Sequence, residues 1–122
     1  MQIYAAVRTR TAERTSAYAK AVALRFAAET PGLITAKMTK SLRPGKVFID
    51  WSQNNPSKTT VAPYSLRGRD HPTVSTPVTW DEVRACTQPA DLTFTSDHVI
   101  DRVTEFGDLF ATLTTTRTPL LT

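Results

Sequence analysis

The sequence predicts an α+β fold, a mixed or antiparallel sheet with helices on one face. Three observations predict it. The chain opens on an apolar, aromatic-containing run, "QIYAAV", and then changes period: in "TRTAERTSAYAKAVALRFAAETPG" the apolar residues recur at helical spacing. Two further extended runs, "KVFIDWS" and "TTVAPYSLR", flank the polar loop "QNNPSK", and helical patterns follow. The order strand, helix, strand, strand, helices fits helices layered on a sheet.

Taken in order, "QIYAAV" is β-branched and aromatic enough for a strand. A strand that starts at the second residue, with few others to pair with, has the character of an inner strand of a larger sheet. In the helix, Ala19, Val22, Ala23 and Phe26 share one face, with Thr15 and Tyr18 flanking it and Arg14, Lys20 and Arg25 outside it. Thr9 or Thr11 supplies the N-cap, and Pro31 with Gly32 stops the helix. "LITAKMTK" is a short extended piece, and "SLRPGK" is a turn with Pro44 and Gly45 at its tip. The Asn-Asn-Pro chemistry of "QNNPSK" predicts that its two flanking strands form an antiparallel hairpin. "GRDHPTVSTP" is a proline-interrupted connection, Thr79 caps a short helix in "TWDEVRAC", and "SDHVIDRVTEFGDLFATL" holds one or two more. The expected organisation is one folding unit over residues 1–110 and a loose Thr-rich tail over residues 111–122.

Composition narrows the classes of function. A length of 122 residues suits one domain, and 40% hydrophobic with 21% charged residues is the profile of an ordinary folded protein. Fifteen Lys and Arg against 11 Asp and Glu, a net charge of +4, favour polyanionic partners such as nucleic acid or nucleotide phosphates. Cys86 is the sole cysteine, which excludes an intramolecular disulfide or a cysteine-based metal cluster and fits a reducing cytosol. "MQIYAAV" lacks the features of a secretory signal, and no apolar run approaches a membrane span. A cytoplasmic protein without membrane partners is expected.

Among residues that could carry chemistry, Asp50 stands out, because it ends the apolar run Val47-Phe48-Ile49. Such a carboxylate either aims a metal ligand or base into a cleft or ends a strand in solvent; spacing leaves both open. Asp70, Asp81 and Glu82 sit at loop or helix-start positions, where solvation or capping is their ordinary task. His71 and His98 have no partner at ligand spacing. Arg67 and Arg69 end the second run, while Arg43 and Lys46 border the first, so guanidinium forks for phosphate could gather near Asp50. Gln53 and Asn54 can orient a base, a sugar or a water. No GxxxxGK[ST] or GxGxxG loop is present.

The run "GKVFIDWSQNNPSKTTVAPYSLRGRDHPTVSTPVTWDEV", Gly45 to Val83, resembles the later part of the polymerase domain of bacterial ligase D, a branch of the archaeo-eukaryotic primase superfamily. The opening strand and first helix match what lies upstream in such domains, so the resemblance runs to about Leu109. It implies a partial primase-polymerase catalytic core and a role in end-joining DNA repair, with Mg²⁺ or Mn²⁺ as cofactor. It implies nucleotide triphosphate and DNA ends as partners, besides a ligase domain or a separately encoded N-terminal half. By resemblance Asp50 is the third metal-binding carboxylate and the catalytic residue. Arg67 contacts the phosphates of the incoming nucleotide, and Gln53 and Arg43 lie near it; Arg69 and Lys46, from their places beside the two extended runs and not from the resemblance, are expected to serve DNA or phosphate. Two departures stand out. The family's first motif, a pair of Asp separated by one residue, would fall upstream of Met1, and the histidine of its second motif is here Gln2. Gln2 can hydrogen-bond a phosphate but carries no charge. The implied activity is DNA-dependent nucleotidyl transfer in a complete domain, with the isolated chain inactive; a nucleotide- or DNA-end-binding remnant or interaction subunit is the alternative.

Overall fold

The computed structural model describes residues 1–120. Among these residues are four α-helices and four very short strands in two parallel pairs, so the mixed α and β character read from the sequence holds. The chain divides into two compact units, Val7–Thr60 joined by residues from Thr118 on, and Met1–Ala6 joined by Val61–Arg117.

In the first unit, α1 (Ala12–Glu29) is the helix that the period predicted, preceded by Thr11 in extended conformation, although its hydroxyl makes no cap bond. Ala23 is fully buried and Thr15, Ala19 and Val22 are partly covered, as their spacing required. Phe26 and Tyr18 depart from the pattern, with Phe26 46% exposed. The strands beside α1 are only two residues long, too short to cover the rest of that face. Pro31 and Gly32 follow the helix, and β2 (Ile34–Thr35) pairs in parallel with β3 (Val47–Phe48). Gly45 takes φ +70 in the turn between them, a left-handed conformation that glycine adopts without Cβ strain.

The antiparallel hairpin expected of "KVFIDWS" and "TTVAPYSLR" does not form. β3 ends after two residues because Asp50 caps a 3₁₀ turn over Trp51–Gln53, accepting from the Ser52 N–H, and this turns the chain aside. Further on, Pro63 lacks an N–H, and Tyr64 has φ +67, which breaks an extended path. The segment pairs instead with the stretch after the "GRDHP" turn, through a single antiparallel bridge between Leu66 and Val74. The opening run is also mostly irregular. Only Val7–Arg8 forms a strand, β1, and it pairs in parallel with β4 (Thr118–Pro119). The Thr-rich tail thus carries a strand and one helical turn, α4 (Thr112–Thr115); Leu121 and Thr122 lie outside the described residues.

The second unit is held by a polar clip. Thr79 starts α2 (Trp80–Ala85) with a full capping box, its hydroxyl accepting from the Glu82 N–H while Glu82 accepts from the Thr79 N–H. Thr95 likewise starts α3 (Ser96–Phe106), with His98 as the reciprocal partner, which gives that histidine a structural task. Arg102 of α3 then reaches Glu82 with two donors, at 2.7 and 2.9 Å, and the Pro77 carbonyl at 3.1 Å. Its guanidinium also lies 4.6 Å from the Phe94 ring centroid and 5.5 Å from that of Phe106. Tyr64 belongs to the same unit. Its N–H donates to the Ser75 carbonyl at 2.6 Å and its hydroxyl to Asp108 at 2.7 Å, anchoring both ends of a residue held at positive φ.

Arg102 holds the Glu82 carboxyl down at about 2, chiefly through these hydrogen bonds. A depressed carboxylate stabilises the fold above its unfolded value near 4.5, and that contribution is lost as pH falls toward about 2. Discounted for the partial exposure of Glu82, it amounts to about 2 kcal/mol. Thermal melts taken between pH 7 and pH 2 should show this loss, and Glu82→Gln should remove it from the acid limb; an unchanged acid limb would assign the loss to other carboxylates.

Candidate nucleotide and phosphate site

Asp50 lies two residues beyond β3, at the start of the 3₁₀ turn, with three donors on it. The Ser52 hydroxyl donates to Oδ1 at 2.6 Å, the Ser52 N–H donates to the same oxygen at 3.2 Å, and Gln53 Nε2 donates to Oδ2 at 3.3 Å. Lys58 Nζ in turn donates to Ser52 Oγ at 2.9 Å. An ammonium can only donate, so the Ser52 proton is left to point at Asp50. The Ser52 hydroxyl bond, followed by those of Gln53 and the Ser52 N–H and by the nearby Lys58 charge, holds the Asp50 carboxyl below its usual range. The result is an exposed, ionised carboxylate with its orientation fixed from one side.

Two of these four residues, Ser52 and Lys58, were not singled out in the sequence. The signal for Ser52 was present: Asp-x-Ser is the spacing at which an Asp side chain bonds the backbone two residues on. Lys58 could be found only from the folded loop, because six residues separate it from Ser52.

The other predicted residues divide between the two units. Arg43 and Lys46 share the Asp50 unit and flank the turn before β3, with the Lys46 N–H on the Arg43 carbonyl at 2.9 Å. Arg43 is turned inward. Its guanidinium lies 4.2 Å from the Phe48 ring centroid and donates to the Met38 carbonyl at 2.7 Å, while its Nε–H is buried without a partner. Lys46 is exposed. Lys20 of α1 stands 5.0 Å from the Trp51 ring centroid, tying the helix to the turn that Asp50 caps. Gln53 and Asn54, with Ala12, Thr15, Asn55 and Pro56, line a shallow groove of about 290 Å³. Arg67, Arg69 and Gln2 are exposed residues of the other unit, where the Arg67 N–H bonds the Thr73 carbonyl at 2.8 Å and leaves the guanidinium in solvent. The structure therefore joins Asp50 and Gln53 directly, and it sets Arg43 on Phe48.

Comparison with known proteins gives these residues a family. The model of the LigD primase-polymerase domain matches residues 1–110. The chain is 59% identical over 98 residues to the multifunctional non-homologous end joining protein LigD of Mycolicibacterium smegmatis, covering 80% of this chain and 12% of that protein. It is 55% identical over 95 residues to the Mycobacterium tuberculosis LigD, and 39% identical over 77 residues to the bifunctional LigD of Bacillus subtilis. The chain therefore spans about 12% of the length of the curated relatives it matches. Among solved structures, the polymerase domain from Mycobacterium tuberculosis ligase D in complex with DNA superposes with a TM-score of 0.79 at 46% sequence identity, covering 88% of this chain and 36% of that one. Matched along residues 1–110 and 59% identical to a LigD protein over 80% of its length, the chain belongs to the LigD primase-polymerase family.

Proposed function

We propose that this chain is the nucleotide-handling portion of a primase-type polymerase used in non-homologous end joining, contributing to template-directed nucleotidyl transfer at DNA ends within a complete domain. The observation that carries the reading is the family match, which spans every residue it uses. Residues 1–110 form the later part of that domain, completed by a ligase domain or a separately encoded N-terminal half as partner. Asp50 is the catalytic and metal-binding carboxylate. Arg67, Arg43, Gln53 and Gln2 take the nucleotide triphosphate, and Arg69 and Lys46 take DNA phosphate. For Arg43 this role requires its guanidinium to leave the Phe48 ring, because its Nε–H is buried where it now stands.

The family implies Mg²⁺ or Mn²⁺. Two-ion phosphoryl transfer needs several carboxylates around the cations, and among the described residues no group of three or more His, Cys, Asp or Glu could hold one. The described residues alone therefore do not fit that centre, and Asp50 is one ligand of a site completed by others. What this chain contributes is a carboxylate kept ionised by Ser52 and Gln53, and guanidinium forks for phosphate. On its own it binds without turning over, which is also the non-catalytic reading of a nucleotide- or DNA-end-binding piece; that no three such ligands cluster among the described residues favours this second reading for the isolated chain.

Binding of a fluorescent nucleoside triphosphate, followed by anisotropy, should weaken about tenfold in Arg67→Ala; equal binding would remove Arg67 from the site. Incubated alone with primed template and Mn²⁺, the chain should extend no primer, and extension lost in Asp50→Ala would show that it acts unaided. Ser52→Ala should raise the Asp50 carboxyl toward the ordinary range in an NMR titration, the shift being absent if the Ser52 hydroxyl is not what holds it down.

A further inference from the structure

Among the described residues Tyr64 is the one non-glycine residue at positive φ, +67. The Ser65 N–H donates to the Ala62 carbonyl at 3.2 Å around Pro63 and Tyr64, the pattern of a type II turn whose third position ordinarily falls to Gly or Asn. A strained backbone persists where its surroundings over-determine it, and such an outlier points to a task. The surroundings here are built for the hydroxyl. After α3, Gly107 with φ +71 turns the chain into Asp108, whose Oδ1 accepts the Phe110 N–H at 2.9 Å and the Tyr64 hydroxyl at 2.7 Å. The acceptor is thus fixed by its own loop before Tyr64 reaches it. Burial, followed by Asp108, pushes the Tyr64 hydroxyl up, so it stays protonated and a donor at neutral pH.

Tyr64 opens a small antiparallel hairpin over residues 64–75. Its rungs are the Tyr64 N–H on the Ser75 carbonyl at 2.6 Å, the Ser75 N–H on the Ser65 carbonyl at 2.9 Å and the Arg67 N–H on the Thr73 carbonyl at 2.8 Å, around the bridge between Leu66 and Val74. The two arms are anchored unequally. On the return arm Val74 is buried and its N–H donates to the Phe94 carbonyl at 2.9 Å. On the outgoing arm Leu66 is 61% exposed and Arg67 is exposed as well, so no apolar side chain holds that arm beyond Ser65. Two arms alone are marginal in water, and their register is weakly specified where the side chains are not buried. A slip of one residue would send the Arg67 side chain to the opposite face.

We propose that Tyr64 is a positioning residue for the Arg67 guanidinium: its hydroxyl bond to Asp108 pins the register of the 64–75 hairpin and so the face on which Arg67 meets a nucleotide's phosphates. This rests on the phosphate role proposed for Arg67 above. The test uses the full 122-residue chain as Tyr64→Phe, which keeps the ring and removes only the hydroxyl, and as Asp108→Ala. Hydrogen exchange at the Arg67 amide should quicken about tenfold in both, with exchange at Val103 of α3 unmoved. Asp108→Asn keeps an acceptor oxygen and should restore the slow exchange that Asp108→Ala loses. Binding of a fluorescent nucleoside triphosphate should weaken about fivefold in Tyr64→Phe, and the same substitution should cost nothing further in an Arg67→Ala background. Arg67 exchange unaltered in either deletion, or still fast in Asp108→Asn, overturns the proposal. So do binding that ignores Tyr64→Phe, a loss of binding that persists without Arg67, and equal quickening at Val103, which reports loosening of the whole unit. An unsubstituted chain that binds no triphosphate counts instead against the proposed function, and the exchange results then decide the tether alone.

Discussion

Few of the described side chains are withdrawn from water. Among the described residues the buried hydrophobic ones are Ala23, Ala36, Val74 and Val99, three of them barely enclosed, and no large side chain is fully enclosed. A core of this size contributes little of the transfer free energy that ordinarily outweighs chain entropy. Order is carried instead by local devices that fix backbone direction with few atoms: capping boxes at Thr79 and Thr95, the Asp50 turn, and the Arg102 clip between α2 and α3. Each acts over a short reach and needs no enclosed interior.

That constraint also governs what could be read from the sequence. The first helix was legible because its period of 3.6 is written in one continuous stretch, and the Thr79 cap because a capping box occupies four adjacent letters. Asp50 was legible as the end of an apolar run. Strand pairing was not: "QNNPSK" carries hairpin chemistry, but the Asx-type turn at Asp50 comes first and redirects the chain before a second strand can align. Nor could the pairing of Val7–Arg8 with Thr118–Pro119 be inferred, since nothing local links residues more than a hundred positions apart. Phe26 fell on the predicted face and is nonetheless half exposed, because a periodic face states what wants cover and not what supplies it.

The candidate site shows the same division between local and distant information. Gln53 and Ser52 reach Asp50 within three residues, and their bonds both hold the carboxylate and depress its titration. Arg43 lies close in sequence as well, yet its guanidinium prefers the face of Phe48, which desolvates part of the fork. Lysine in that position would give up the planar stack while keeping the charge, so the two cations are not equivalent there.

Tyr64 shows how side-chain and backbone preferences can oppose each other at one position. At φ +67 the ranking of residues by backbone comfort begins with Gly and Asn and ends with β-branched types, and an aromatic residue carries a cost of order 1–3 kcal/mol. Its retained phenol, pushed up in titration by burial and by Asp108, anchors the loop to the far end of α3's unit across 44 residues of sequence. The letters "PYS" therefore encode a compromise, a hydroxyl at a given reach obtained at the expense of a relaxed backbone. A sequence profile built on loop propensity would rank glycine first at this position and in doing so discard the tether.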